Sequence, residues 1–431
     1  MSTTGFTSAA ATGQELSETH LLWPCRVLDL TYTYAHLAGR LLGDMGADVI
    51  KIEPPTGDPA RHKGPFYHNL PGLENSLEWW AFNYNKKGVT LALEHADGRE
   101  LLGRLVSVSD VLIESFPPGY LEDLGLGYQR LRERNPGIIV TSITPFGQEG
   151  PYRDFAASDL VLMGLGGYLF GSGDPDRPPV AFPVEQAFLH GASEGVVGTL
   201  IAYYARGRVG GGQHVDVSCQ QGVNAVGGGS PARWVRTGKV QQRPGQFQIG
   251  IHPTVALRIV YPCKDGFVAF RLRGGATGIA VNQALVAWMR EERMAEDWLD
   301  EICQDNWPFS AWGEEEIRGA EAAIGQFFLT HTKQELYEGS INRRVHLYAV
   351  SSFQDIAESP QLAAREYWRQ IDHPERGEGF QYPGPFARFS EAPLEFQCRA
   401  PRLGEHNAEV YGGLLGLSQE DLLRLYESGA I

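Results

Sequence analysis

Between residues 26 and 144 the chain alternates short β-rich runs with stretches of helical spacing. The runs are 26–30 (RVLDL), 48–52 (DVIKI), 89–93 (VTLAL), 111–114 (VLIE) and 138–143 (IIVTSI). Residues 35–45, 98–106 and 128–134 instead space their apolar positions three and four apart, the mark of a helix with one buried face. Strand, helix and strand at this rhythm predict βαβ units and a mostly parallel sheet. Ligands of such sheets bind beyond the carboxyl ends of the strands, so the loops after Leu30, Ile52, Leu93, Glu114 and Ile143 are the places to look.

Further along, the apolar run after Ser158 leads into a turn-rich stretch, GSGDPDRPP, and on through residues 171–192 to a long helix over 189–205, then GGGQHVDVS. A loop held between two packed elements is where function usually resides. Glycines at 195 and 198 each cost helix propensity, roughly 1 kcal/mol against Ala, so either tight packing of the helix on the sheet or a ligand is expected as their reason, packing first. Residues 227–246 turn Gly-rich, polar and basic and read as a linker or an ordered arm. A hairpin is predicted from 257–261 and 267–271 around an Asp-Gly turn, followed by Trp-containing helical segments to about 336, so this region reads as a smaller α+β domain. Residues 362–367 are helical, and Ser418 with Asp421 forms a capping box on a helix over 418–428.

At 431 residues two domains are expected. A formal charge of −15 works against nucleic-acid or anionic-membrane binding while leaving room for a local basic pocket. The five cysteines are scattered without a CxxC pair, so no zinc spacing exists and no metal is expected; the count suits a reducing cytoplasm. Residues 1–20 read as a flexible tail without a secretory pattern, and no stretch is apolar and long enough to span a membrane.

Several motifs occur together and in order: Val27-Leu28-Asp29-Leu30-Thr31, LGDMGADVIKIE ending at Glu53, FNYNKK ending at Lys87, Glu114-Ser115-Phe116-Pro117-Pro118-Gly119, FGQEGPY ending at Tyr152, residues 210–218, and PRLGEH ending at His406. With these motifs the chain resembles the family III CoA-transferases, the formyl-CoA and carnitine-CoA transferase group that includes α-methylacyl-CoA racemases. The resemblance runs from about residue 26 to 431. It implies an α/β fold: a large Rossmann-like domain begun by residues 21–225, a linker over 226–250, a small α+β domain over 251–345, and a return segment over 346–431 that completes the large domain. It further implies two chains interlocked like linked rings. No bound cofactor is implied; a coenzyme A thioester is substrate, with a carboxylic acid as acceptor. In such enzymes an Asp attacks the thioester, so that covalent catalysis divides the exchange into easier steps while backbone amides stabilise the oxyanion.

The family's Asp precedes the long helix in a motif resembling P-x-A-D-x-x-x-G. Counting back from Gly198 puts Phe188 there, and matching on Pro183 puts Gln186 there; neither side chain is a carboxylate. Glu185 is the nearest carboxylate, either a substituted nucleophile or a solvated loop residue, whereas Glu194 and His190 read as structural. Where an Arg is common before Pro-Gly the chain has Pro117, and Asp123 precedes Leu124-Gly125, an acid where polyphosphate would be repelled. Tyr34, Ala35, Leu91, Phe116 and Thr144 remain as positions bordering a CoA groove. Ser158 before Asp159 removes the racemase His, and two-base racemisation needs titratable groups on both faces of the substrate carbon. Three readings stay open: the non-catalytic partner of a paralogous chain, resembling the heteromeric benzylsuccinate-activating transferases that use succinyl-CoA; a self-sufficient homomer using Glu185; and a CoA-thioester-binding scaffold. Trp79, Trp80, Phe82 and Tyr84 suit either an aryl substrate or the core.

Overall fold

The computed structural model describes residues 20–226, 229–240, 242–249, 251–304, 307–394 and 398–431, so all but the last residue of the expected N-terminal tail lies outside the described residues. The chain divides into two compact units, one gathering residues up to Tyr168, Phe182–Gly228 and Ala363–Ile431, the other Leu169–Ala181 and Gly229–Leu362.

The first unit is built on six parallel strands, β1 (Arg26–Leu30), β2 (Asp48–Glu53), β3 (Lys87–Thr90), β4 (Val111–Glu114), β5 (Ile139–Thr144) and β6 (His214–Ser218). They lie in the order β3-β2-β1-β4-β5-β6. Val27 pairs with Val49 on one side and Val111 on the other, and Val140 pairs with His214. Every residue of β2, β4 and β5 is buried on both faces of the sheet, so these runs do not alternate apolar with exposed polar positions, and their polar members, Lys51, Glu53 and Thr141 among them, are buried as well. Strand order reverses between β1 and β4, the kind of switch point at whose carboxyl ends ligands of such sheets bind. The connecting helices include α1 (His36–Asp44), α2 (Leu77–Asn83), α3 (Ala96–Ser107), α4 (Tyr128–Arg134), α5 (Asp159–Leu165), α6 (Ala187–Val209) and α7 (Cys219–Val226).

The expected strand over 89–93 ends at Thr90; just beyond it the amide of Leu91 still reaches the Glu53 carbonyl (2.7 Å) on β2, while the amide of Ala92, on the outer edge, is taken by the carbonyl of Ala430 (2.9 Å) from the far end of the chain. Tyr411 donates its hydroxyl to the Thr90 carbonyl (2.8 Å), and Val410, Leu425 and Ile431 join Leu28, Ile50 and Val89 in one apolar core. Helix α6 is longer than the expected 189–205, and its glycines have a packing reason. A Cβ at Gly195 would lie 2.7 Å from Ile143 Cδ1 on β5, one at Gly198 2.7 Å from Val215 Cγ1 on β6, and one at Gly191 2.3 Å from Cys219 Sγ.

Under the sheet's carboxyl edge the family-like motifs form a buried ionic lattice. Lys86 donates to Asp29 Oδ2 (2.8 Å), to the His36 carbonyl (2.9 Å) and to Asn83 Oδ1 (2.9 Å), while Arg61 grips Glu53 through Nε (2.6 Å) and Nη2 (2.8 Å). Trp79, Trp80 and Tyr84 pack with Ile371 and Tyr382, so these three aromatics are core.

In the second unit, part of the expected linker is a helix, α8 (Gly229–Thr237), running through the helix-compatible residues Ala232, Arg233 and Trp234 and ended by Gly238 in the left-handed region (φ 65°). The hairpin is β7 (Val260–Cys263) with β8 (Gly266–Ala269). Its two-residue turn is Lys264-Asp265, with Gly266 already paired to Cys263, so the Asp-Gly step straddles the turn's end rather than forming its centre. Strand β9 (Tyr348–Ala349) adds to β8, and helices α9 (Gly275–Glu291), α10 (Glu314–Leu329) and α11 (Lys333–Arg343) enclose an aromatic core around Tyr261, Phe270, Trp288, Phe327 and Phe328. In the first unit again, a two-stranded ribbon, β10 (Trp368–His373) with β11 (Glu378–Pro383), precedes the C-terminal helix α12 (Gln419–Glu427), whose capping box is Ser418 with Asp421. The helix expected over 362–367 is the shorter Pro360–Ala364.

Candidate active site

At the switch point the loops after β1 and β4 are tied together. The amide of Tyr32 donates to Ser115 Oγ (2.8 Å), and the Tyr32 ring meets Phe116 edge-on with centroids 4.8 Å apart. Phe116 stacks in turn on Tyr120 at 4.6 Å. Of the five expected groove positions, Ala35, Leu91, Phe116 and Thr144 have buried side chains, so a ligand resting there meets backbone and neighbouring residues rather than these groups. Thr144 Oγ1 receives the amide of Gly147 (3.0 Å), which turns the loop after β5 through a left-handed glycine (φ 89°). Tyr34 lies in the 3-10 turn Thr33–Ala35 that opens α1.

Glu114, at the end of β4, is a titratable group that the sequence reading passed over. Its carboxylate accepts the amide of Phe116 (2.6 Å). Burial pushes its carboxyl up to about 7, against hydrogen bonds from Ser142 and Phe116 that favour the ion, with Glu122 and Asp216 adding to the rise.

The loop before α6 and that helix's first turn hold Glu185, Gln186 and Phe188 close together in the chain. Glu185 is half-exposed and pairs with Lys63 (3.2 Å), which also faces Glu78 at 3.7 Å. Burial raises the Glu78 carboxyl, Lys63 pulls it down and Glu185 pushes it up again, so the two acids share one ammonium. Gln186 stands at the N-cap of α6, its side-chain amide donating to the Val184 carbonyl (3.3 Å). The first amides of the helix are capped from a distance: Asp159 Oδ1, at the start of α5, accepts from Gln186 N (2.7 Å) and Ala187 N (2.6 Å). A carboxylate at a helix N-terminus is favoured by both the unpaired amides and the helix dipole. The sequence signal for it was the lone acid at the head of the apolar run after Ser158, which the sequence reading weighed only against the racemase motif. Phe188 and His190 are half-buried in the first turn of α6, and Glu194 is exposed. Among the described residues no cluster of His, Cys, Asp and Glu suits a metal ion, and no helix is long and apolar enough to cross a membrane.

The model of CoA-transferase family III matches residues 22–407. The chain belongs to that family. It is 33% identical over 89% of its length to subunit BbsE of the succinyl-CoA:(R)-benzylsuccinate CoA-transferase of Thauera aromatica, 92% of which is covered. It is 32% identical over 93% of its length to the succinyl-CoA–D-citramalate CoA-transferase of Chloroflexus aurantiacus, covering 95% of that chain. Among solved structures, a CAIB/BAIF family protein from Brucella suis aligns with a TM-score of 0.78 at 28% identity, over 92% of this chain and 99% of that one. Family III CoA-transferases act on coenzyme A thioesters as substrates and need no bound cofactor. The motifs that carried the resemblance thus belong to the family, and in this chain Asp29, Glu53 and Lys86 among them sit in the buried ionic lattice.

Proposed function

We propose that this chain is the non-catalytic partner in a two-chain family III CoA-transferase that moves CoA from succinyl-CoA to a carboxylic acid, an aryl-substituted succinate serving as acceptor. The observation that carries the reading is the loop before α6. Gln186 occupies the helix N-cap, the two leading amides are already filled by Asp159, and the neighbouring carboxylate of Glu185 is paired with Lys63. An ion pair with Lys63 lowers the nucleophilicity of Glu185, and a tetrahedral intermediate needs unengaged donors; the paired carboxylate and the filled amides favour a role other than covalent catalysis. The succinyl donor and benzylsuccinate acceptor are suggested by the names of the relatives above. An interlocked assembly with a paralogous chain fits the exposed apolar face of α6, where Val197, Ile201 and Tyr204 are 51%, 63% and 78% exposed, since apolar surface of this kind marks an interface.

Intact-mass spectrometry of the purified chain with succinyl-CoA, alone and co-purified with a paralogous subunit, tests this. The expected result is no adduct on this chain and a covalent adduct on an Asp of the partner. A CoA or succinyl adduct on the isolated chain, absent from Glu185→Gln, would instead make it a self-sufficient transferase; a chain that binds the thioester without turnover in either setting would be a scaffold.

A further inference from the structure

The second unit contains a cavity of about 640 Å3 far in sequence from the loop before α6, lined among others by Ile251, Arg271, Arg273, Gly275, Trp307 and Phe309. Its walls supply donors and no described acid. Arg271 and Arg273 are both half-buried and neither makes an ion pair with a described carboxylate; Arg271 donates instead to the neutral Gln248 Oε1, and its Nε is buried with no acceptor. Burial, and after it the neighbouring charge of Arg273, disfavour the Arg271 cation. Trp307, only 6% exposed, buries its indole N–H with no acceptor as well. Helix α9 begins at the same place with Gly274 at its N-cap, no side-chain cap and no acid in its first turn. Gly274 also lets the wall close up: a Cβ there would lie 2.7 Å from Phe309 Cβ. Phe309 in turn packs edge-on against Trp307 at 5.1 Å and against His252 at 4.9 Å, and its carbonyl is held by His252 Nε2 (2.8 Å).

A buried donor without an acceptor costs about 1–3 kcal/mol, and two guanidinium groups side by side repel. A protein with a net charge of −15 that gathers both here, beside an uncapped helix start, has built the complement of an oxyanion. The remaining wall, Ile251, Phe309 and the Trp307 ring, is apolar and suits a ring or short hydrocarbon body better than a bare inorganic ion. We propose that this cavity binds a small organic carboxylate with an aromatic or apolar body, the carboxylate on Arg271 and Arg273 and the body against Phe309 and Trp307. The proposal is independent of whether the loop before α6 performs covalent chemistry.

The test is calorimetry and saturation-transfer NMR on the full chain with phenylacetate, phenylacetamide and inorganic phosphate. Saturable binding of phenylacetate is expected, with phenylacetamide and phosphate each at least about tenfold weaker, since each lacks one half of the ligand. Arg271→Gln and Arg273→Gln should each weaken phenylacetate about tenfold, Arg271→Lys should recover part of that, and thermal melting should not fall below the parent value, since each Arg→Gln variant relieves the repulsion between the two guanidinium groups. Absence of saturable binding, equal affinity for the amide, tighter phosphate than carboxylate, or phenylacetate affinity unchanged in the double Arg→Gln variant would each overturn the proposal.

Discussion

Replacing Lys86 by Met isolates the lattice beneath the sheet. Lys86 and Asp29 are both fully buried, and the ammonium makes three hydrogen bonds, to Asp29, the His36 carbonyl and Asn83. Burial pushes the Asp29 carboxyl up, but Lys86, Lys51 and His36 together outweigh it and hold it at about 2. Burial pulls Lys86 down to about 8, with Asp29 opposing, so the amine is still charged at neutral pH and the contact is ionic there. Removing one member of such a pair leaves a charge without compensation, which costs about 3–5 kcal/mol, whereas removing both charges is far milder. Lys86→Met is therefore expected to lose about 3–5 kcal/mol in urea unfolding at pH 7, and Asp29→Asn with Lys86→Met to regain about 2 kcal/mol of it as coupling between neighbours. Asn at 29 keeps the oxygen that accepts from the Thr31 amide (3.0 Å) and hydroxyl (2.6 Å), so the local turn survives in the double variant. Because Asp29 is held below its unfolded value, this contribution is complete above about pH 4 and fades as the pH falls toward 2. A loss below about 1 kcal/mol, or strict additivity of the two substitutions, would refute the ionic account and leave only packing.

Asp159→Ala should cost about 1–2 kcal/mol, the usual range for a lost helix cap, and speed amide exchange at Gln186 and Ala187; melting and exchange like the parent's would mean that another group holds the loop. Glu114 gives a pH signature of opposite sign to Asp29. With its carboxyl raised to about 7 by burial, the fold favours the protonated form, so its contribution is present below the unfolded value near 4.5 and lost as the pH rises through about 7. Glu114→Gln should accordingly gain stability relative to the parent between pH 5 and pH 8, by up to about 3 kcal/mol, in parallel thermal melts; pH profiles that run parallel would show that Glu114 does not titrate in that window.

The parallel sheet was legible because each run from β1 to β5 stands in the sequence as a short β-rich stretch between helical ones. What escaped reading depended on distant partners. The block at 89–93 looks uniform, yet the strand ends at Thr90 and its outer edge is met by the carbonyl of Ala430, from the other end of the sequence. Asp159 looks like an ordinary first residue of α5, and only the folded chain shows it closing the N-terminus of α6. Arg271 and Arg273 lie in a plain RLRGG stretch, and their lack of described acids follows from which side chains fold around them. The helix over Gly229–Thr237 was masked by a Gly-rich approach that biases any local reading toward linker.

The carbonyl of Ala430 and the hydroxyl of Tyr411 close the edge of a sheet whose first strand is Arg26–Leu30. During synthesis the ribosome therefore releases β1 to β6 and the whole of the second unit before the segment that covers β3. The second unit, with its own aromatic core, can settle while the first still exposes an unpaired strand edge, and an exposed edge is a template for association. Slowed translation before residue 400 would thus lengthen the time in which nascent chains can pair with one another.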